Sequence, residues 1–195
     1  AYAPAFAAVL VMASLAAAQQ NGATYVGDES CMECHEESFA PYAETAHGKM
    51  FKPDGHKEAM RQGCEGCHGP ASLHVDSGGE IGGMLTFRAA DAESIRAENA
   101  NCLDCHANSS RRHWEGSTHE MKDVACSSCH QVMKQNSPSF LLAKATEMET
   151  CSSCHLLQHA QVFRNGHMPL RPGTMPDREG KMTCSTCHNA HGSVG

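Results

Sequence analysis

The sequence predicts a loop-rich chain of short α-helices with little or no β-structure, wrapped around a row of covalently held cofactors that replace an ordinary apolar core. Three observations predict it. Units of the form Cys-x-x-Cys-His occur six times and consume all 12 cysteines. Aromatic residues make up only 5% of the 195 residues while glycine is frequent, so the polypeptide alone is poorly equipped to build a large core. No stretch carries the alternation of a strand, and Gly- and Pro-containing segments interrupt the helical ones.

The six units are Cys31, Cys34, His35; Cys64, Cys67, His68; Cys102, Cys105, His106; Cys126, Cys129, His130; Cys151, Cys154, His155; and Cys184, Cys187, His188. Two of them read Cys-Ser-Ser-Cys-His letter for letter. Two thiols at this spacing add to the two vinyl groups of one haem, and the next residue sets an imidazole under the iron. Zinc would pair one CxxC with a second, and a disulfide framework would use the thiols alone; neither requires a His directly after every pair. The fold class that follows is a multihaem cytochrome c carrying six haem c groups. Porphyrin then supplies much of the buried apolar surface, with about 30 residues of chain per haem.

Residues 1–20 form an apolar segment, with no charge before Gln19 and Gln20. It reads as a helix that is either a signal segment or a membrane anchor: 18 helical residues span about 27 Å against a hydrocarbon core of about 30 Å. A retained tether, or a helix packed on a membrane partner, is the expectation, with possible membrane contact through residues 1–18. Residues 21–195 form the hexahaem domain. Its units are spaced irregularly, which argues against a solenoid of fixed period. Within it, Asp91 to Ala100 is a helix running into Cys102, and Thr146 with Glu149 is a capping box opening a helix towards Cys154. Gly78-Gly79, Gly82-Gly83, Pro138 and the stretch from Pro169 to Pro176 are loops.

The formal charge is −7, and haem propionates add to it. An acidic holoprotein excludes nucleic acid and suits a basic face on a redox protein partner. Of 14 histidines, six belong to the units, leaving His47, His56, His74, His113, His119, His159, His167 and His191. That is enough for a second axial ligand on every haem, and six-coordinate iron carries electrons without an open position for substrate. For each one singly, the alternative is a solvent-exposed or propionate-bonding His.

From Gly27 to Ser193 the chain resembles a known group. The motifs are Cys67-His68-Gly69-Pro70 with His74 downstream, Trp114-x-Gly116-Ser117-x-His119, Val124-Ala125-Cys126 running to His130-Gln131-Val132, Thr146-Glu147-Met148-Glu149-x-Cys151, and His188-Asn189-x-His191-Gly192-Ser193. They resemble the periplasmic multihaem cytochromes of dimethyl-sulfoxide respiration and of outer-membrane metal-reduction conduits, usually decahaem, and more distantly the pentahaem donor to nitrite reductase. The resemblance implies a wire of bis-His haems with distal ligands at His47, His74, His119, His167 and His191. It also exposes a departure: the fourth unit of such proteins usually reads CxxCHxxH, and here the last position is Met133. A thioether there would give one His/Met haem of raised potential; otherwise Met133 packs and His56, His113 or His159 takes its place.

The function expected is electron transfer through six haems, between a membrane redox complex and an extracytoplasmic acceptor, in the periplasm and with no catalytic residue. A haem filament is a related possibility. The contrasting reading is a reductase of a small oxyanion, which needs one five-coordinate haem. Known examples signal it with CxxCK or a cross-linked Tyr; here every unit has His, and of Tyr2, Tyr25 and Tyr42 only the last is near a unit.

Overall fold

The computed structural model describes residues 22–80, 82–165 and 183–193. The expected apolar helix at 1–20, the loop from Pro169 to Pro176 and His167 lie outside them. None of the described helices is long and apolar enough to cross a membrane.

Among the described residues the chain is helical and looped, with no strand; the single bridge joins His130 and Leu142. The longest helix, α1 (Asp28–Ala43), carries the first unit and kinks at His35, where φ is −114° and ψ 29°. Short helices follow: α2 (Ala46–Met50), α3 (Glu58–Arg61), α4 (Glu65–His68) and α5 (Ser72–Asp76). The expected helix into Cys102 is α6 (Ala92–His106); its cap is Asp91, whose carboxylate accepts from the Ser94 N–H at 2.9 Å. After it come α7 (Cys126–Cys129), α8 (Glu147–Ser152) and α9 (Leu156–Asn165), then a 3-10 turn at Cys184–Thr186. The capping box of α8 forms as expected: the Glu149 N–H donates to Thr146 Oγ1, and the Thr146 N–H to the Glu149 carboxylate, both at 3.1 Å.

Odd-numbered units ride on helices that begin before the first cysteine, at α1, α6 and α8, while the even ones sit on a single turn. A polar side chain three or four residues ahead of each odd unit holds the backbone of the next even one. Asp28 accepts from the Cys64 N–H at 2.8 Å, Asn99 from the Cys126 N–H at 2.7 Å, and Glu147 from the Ser185 N–H at 2.6 Å. The molecule is therefore three two-unit modules, built alike although their lengths differ. The irregular spacing in sequence conceals this, because the loops between clamped positions vary.

Apolar packing is sparse. Among the described residues only Tyr42, Ala71, Ile95, Trp114 and Ala125 are buried apolar residues. Buried polar residues are as prominent, and they tie loops together. Glu65, only 3% exposed, receives the N–H groups of Val26, Gly27 and Ala71 at 2.8–3.1 Å, and the equally buried Glu98 receives those of Arg88 and Ala89. Such carboxylates replace the backbone pairing that sheet or long helices would have given.

Candidate functional site

Two of the candidate distal histidines are positioned by one local device used twice. In Tyr42-x-x-Thr45-x-His47 and Trp114-x-x-Ser117-x-His119 the aromatic residue is buried at 8% exposure and the hydroxyl residue is buried beside it. The Thr45 N–H donates to the Tyr42 carbonyl and the Ser117 N–H to that of Trp114, each at 2.9 Å. Thr45 Oγ1 then caps the Gly48 N–H at 3.1 Å, and Ser117 Oγ the Glu120 N–H at 3.2 Å. Each turn thus projects its His two residues after the cap. Gly48 is required in the first: a Cβ there would run into the Tyr42 carbonyl. Gly192, at φ +87°, serves similarly after His191, because a Cβ would meet the His113 carbonyl.

Four of these histidines face the imidazole of a CxxCH unit. His74 lies parallel to His35 with ring centroids 6.3 Å apart, and His191 parallel to His130 at 6.0 Å. His47 and His106 are 5.8 Å apart with crossed planes, and His119 and His155 6.0 Å apart in the same manner. Rings in direct stacking contact would sit closer. Two imidazoles bonded to one metal at about 2.0 Å have centroids about 6.2 Å apart, so the four gaps have the width that an iron would fill.

Second contacts orient the rings. His68 Nδ1 lies 2.6 Å from the Leu85 carbonyl, His130 Nδ1 2.8 Å from that of Phe140, and His119 Nδ1 2.8 Å from that of Ala190. Donation from Nδ1 leaves Nε2 free for a metal, the usual support of a ligating imidazole. His47 Nδ1 is the buried side-chain atom without a hydrogen-bond partner among the described residues. Burial lowers the pKa of His47, His106 and His191, and neighbouring positive charge adds to this, favouring the neutral form that a metal needs.

The cysteines approach one another in an ordered way. First cysteines lie near one another within each module: Cys31 by Cys64, Cys102 by Cys126 and Cys151 by Cys184, the last pair with sulfurs within 4.8 Å. Second cysteines meet between modules, Cys67 beside Cys105 and Cys129 beside Cys154. Burial, then the neighbouring thiol, pushes Cys67 up to about 11; Cys151 rises to about 12 from burial, Cys184 and Glu147. Glu147 also comes within metal-binding reach of Cys151 and Cys184. Its carboxylate, however, accepts from Ser185 N, Ser185 Oγ and Thr183 Oγ1 at 2.6–3.1 Å, which makes it a clamp.

His68 and His188 face no second imidazole among the described residues. Phe87 lies edge-on against His68 at 5.4 Å, and Met133 is half-buried in the turn after His130. Of the remaining candidates, His56 is exposed, the His113 carbonyl lies against Gly192, and His159 is on α9 one turn past His155. Sequence reasoning missed the clamps Asp28, Asn99 and Glu147 and the capping pair Thr45 and Ser117. Overlaying residues 42–47 on 114–119 was the signal that would have found the pair.

CxxCH units on a helical frame without sheet among the described residues, with second imidazoles set at metal-bridging distance, define a haem-binding c-type cytochrome. The comparisons place it further. Residues 64–154 match the family described as cytochrome c-type protein NrfB-like, and residues 118–194 match cytochrome c3. Multiheme cytochrome MtrA of Shewanella baltica is 39% identical over 170 residues, covering 86% of this chain and 47% of that protein. Cytochrome c-type protein NrfB of Escherichia coli is 26% identical over 73% of each chain. C-type polyheme cytochrome OmcC of Geobacter sulfurreducens is 26% identical over 89% of this chain and 21% of its own length. The chain is similar to multihaem c-type cytochromes over most of its length, and it spans about half the length of the MtrA protein that it matches.

Proposed function

We propose that the chain holds six haems c in single file and relays electrons along them between a membrane redox complex and an extracytoplasmic acceptor, without itself catalysing a bond change. The observation that carries this is the alternating proximity of cysteines. Each unit neighbours the next in sequence, through first cysteines within a module and through second cysteines between modules. Attachment points ordered in this way put successive cofactors edge to edge. Haem iron, when bound, supplies the one-electron couple.

The chain's own residues fix position and coordination. The 12 cysteines anchor, the six CxxCH histidines stand on one side, and His47, His74, His119 and His191 close the other side of four sites. His167 is proposed as a further distal ligand, and the acidic surface as the docking face for a basic redox protein. An extracytoplasmic location follows from the covalent attachment chemistry, which belongs to the export side of the membrane.

Protein-film voltammetry on holoprotein of known haem content tests the relay. Six one-electron equivalents per chain, with no catalytic current on adding nitrite or hydroxylamine, are expected. A catalytic wave would replace the relay with a reductase, and fewer than six equivalents would remove the single file.

A further inference from the structure

The module repeat reaches beyond the four imidazole pairs, and resting on the relay reading, we infer that Met133 is the axial ligand opposite His68, so that the haem held by Cys64 and Cys67 is the one His/Met site. His191 stands three residues after His188 and faces His130, the even-unit imidazole of the module before its own. The turn that sets it there is defined by a side-chain amide: Asn189 Oδ1 accepts the His191 N–H at 3.0 Å. The same turn follows His130. Gln131 Oε1 accepts the Met133 N–H at 3.0 Å, and Met133 stands three residues after its CxxCH histidine. Two turns of one construction, in equivalent places of successive modules, direct the third residue to equivalent targets. For Met133 the even-unit imidazole of the preceding module is His68.

His68 is prepared for such a partner. Its Nδ1 is engaged by the Leu85 carbonyl at 2.6 Å, as His130 Nδ1 is by that of Phe140 at 2.8 Å, so both even-unit rings present Nε2. Phe87 lies edge-on to the His68 ring, with centroids 5.4 Å apart. The third residue after His68 is Ala71, which offers no ligand atom, and its N–H goes to Glu65 at 2.9 Å. A thioether is a weaker donor than imidazole and favours ferrous iron, so this site would have the highest potential of the row.

Near-infrared magnetic circular dichroism of the oxidised holoprotein, with haem counted by pyridine haemochrome, tests the inference. The wild type should show one thioether-to-iron charge-transfer band among otherwise bis-His signals. Met133→His should abolish that band, keep every haem low-spin and lower the highest midpoint potential. Met133→Ala should turn one haem high-spin and open it to added imidazole. Placement is read from attachment variants: the band should vanish with Cys64→Ser/Cys67→Ser and persist with Cys184→Ser/Cys187→Ser. A wild type without the band, a band that survives Met133→His, or one that survives loss of the second attachment overturns the inference. In each of these cases six redox-active haems in voltammetry of the wild type would leave the relay standing, whereas a shortfall in that count strikes the relay itself.

Discussion

At the scale of single residues, the proposed distal ligands depend on small groups around them more than on the histidines alone. Thr45 is fully buried, caps the Gly48 N–H and donates to the Tyr42 carbonyl at 2.8 Å. Thr45→Ala is expected to cost about 1 kcal/mol, which lowers the melting temperature by about 2–4 °C; thermal unfolding monitored at the Soret band checks it. Gly192→Ala forces a Cβ onto the His113 carbonyl at a φ of +87°, and should displace His191. The expected result is one high-spin haem in the visible spectrum of an otherwise low-spin protein. Burial holds His47, His106 and His191 below the ordinary imidazole value of 6.5. The unfolded chain then binds more protons than the folded one as pH falls past 6.5, so stability is full above that value and is lost below it. Iron competes for the same neutral rings, which moves the loss in the same direction. Melts between pH 4 and 8 should decline on the acid side only.

At the scale of elements, each helix that carries an odd unit is also a clamp on the next even one. Asn99 on α6 does both parts of this with one amide: Oδ1 accepts from Cys126 N at 2.7 Å, and Nδ2 donates to the Val124 carbonyl at 3.0 Å. Asn99→Ala leaves an N–H and a carbonyl unpaired in a buried place, and is expected to cost about 2–3 kcal/mol. Because the even unit loses its register, incomplete attachment at Cys126 and Cys129 should accompany the lower stability, visible as a species lighter by one haem in intact mass. Asn99→Asp keeps the acceptor and loses the donor, and should fall between the two. The α8 capping box was legible from Thr146 and Glu149 because it is a local pattern of four residues. The Asp28, Asn99 and Glu147 clamps were not, since their partners lie 27–38 residues away.

At the scale of the whole molecule, the cofactors are part of the fold. Five buried apolar residues among those described, two of them alanine, cannot offset the entropy of ordering a chain of this length. Exposed Leu156 and Leu157, 68% and 72% accessible beside Cys154 and His155, show apolar surface that the polypeptide leaves uncovered. A host lacking haem attachment should therefore yield a chain with little helix by far-ultraviolet circular dichroism and rapid loss to protease. Attachment in an otherwise identical host should restore both. A folded, protease-resistant apoprotein would show that polar clamps alone suffice.

The sequence by itself determined the cofactor chemistry and the secondary-structure class. Six CxxCH units are covalent patterns of five residues, and low aromatic content with scattered glycine leaves a helix-and-loop chain as the outcome. It also supplied the pool of candidate second ligands, since a histidine count needs no coordinates. Tertiary structure decided which imidazole stands opposite which: His47 crosses from the first module to His106 in the second, and His191 returns from the third to His130. Those pairings join residues 59 and 61 positions apart, and they depend on how clamped turns set one module against another. No periodicity along the chain encodes a distance of that kind.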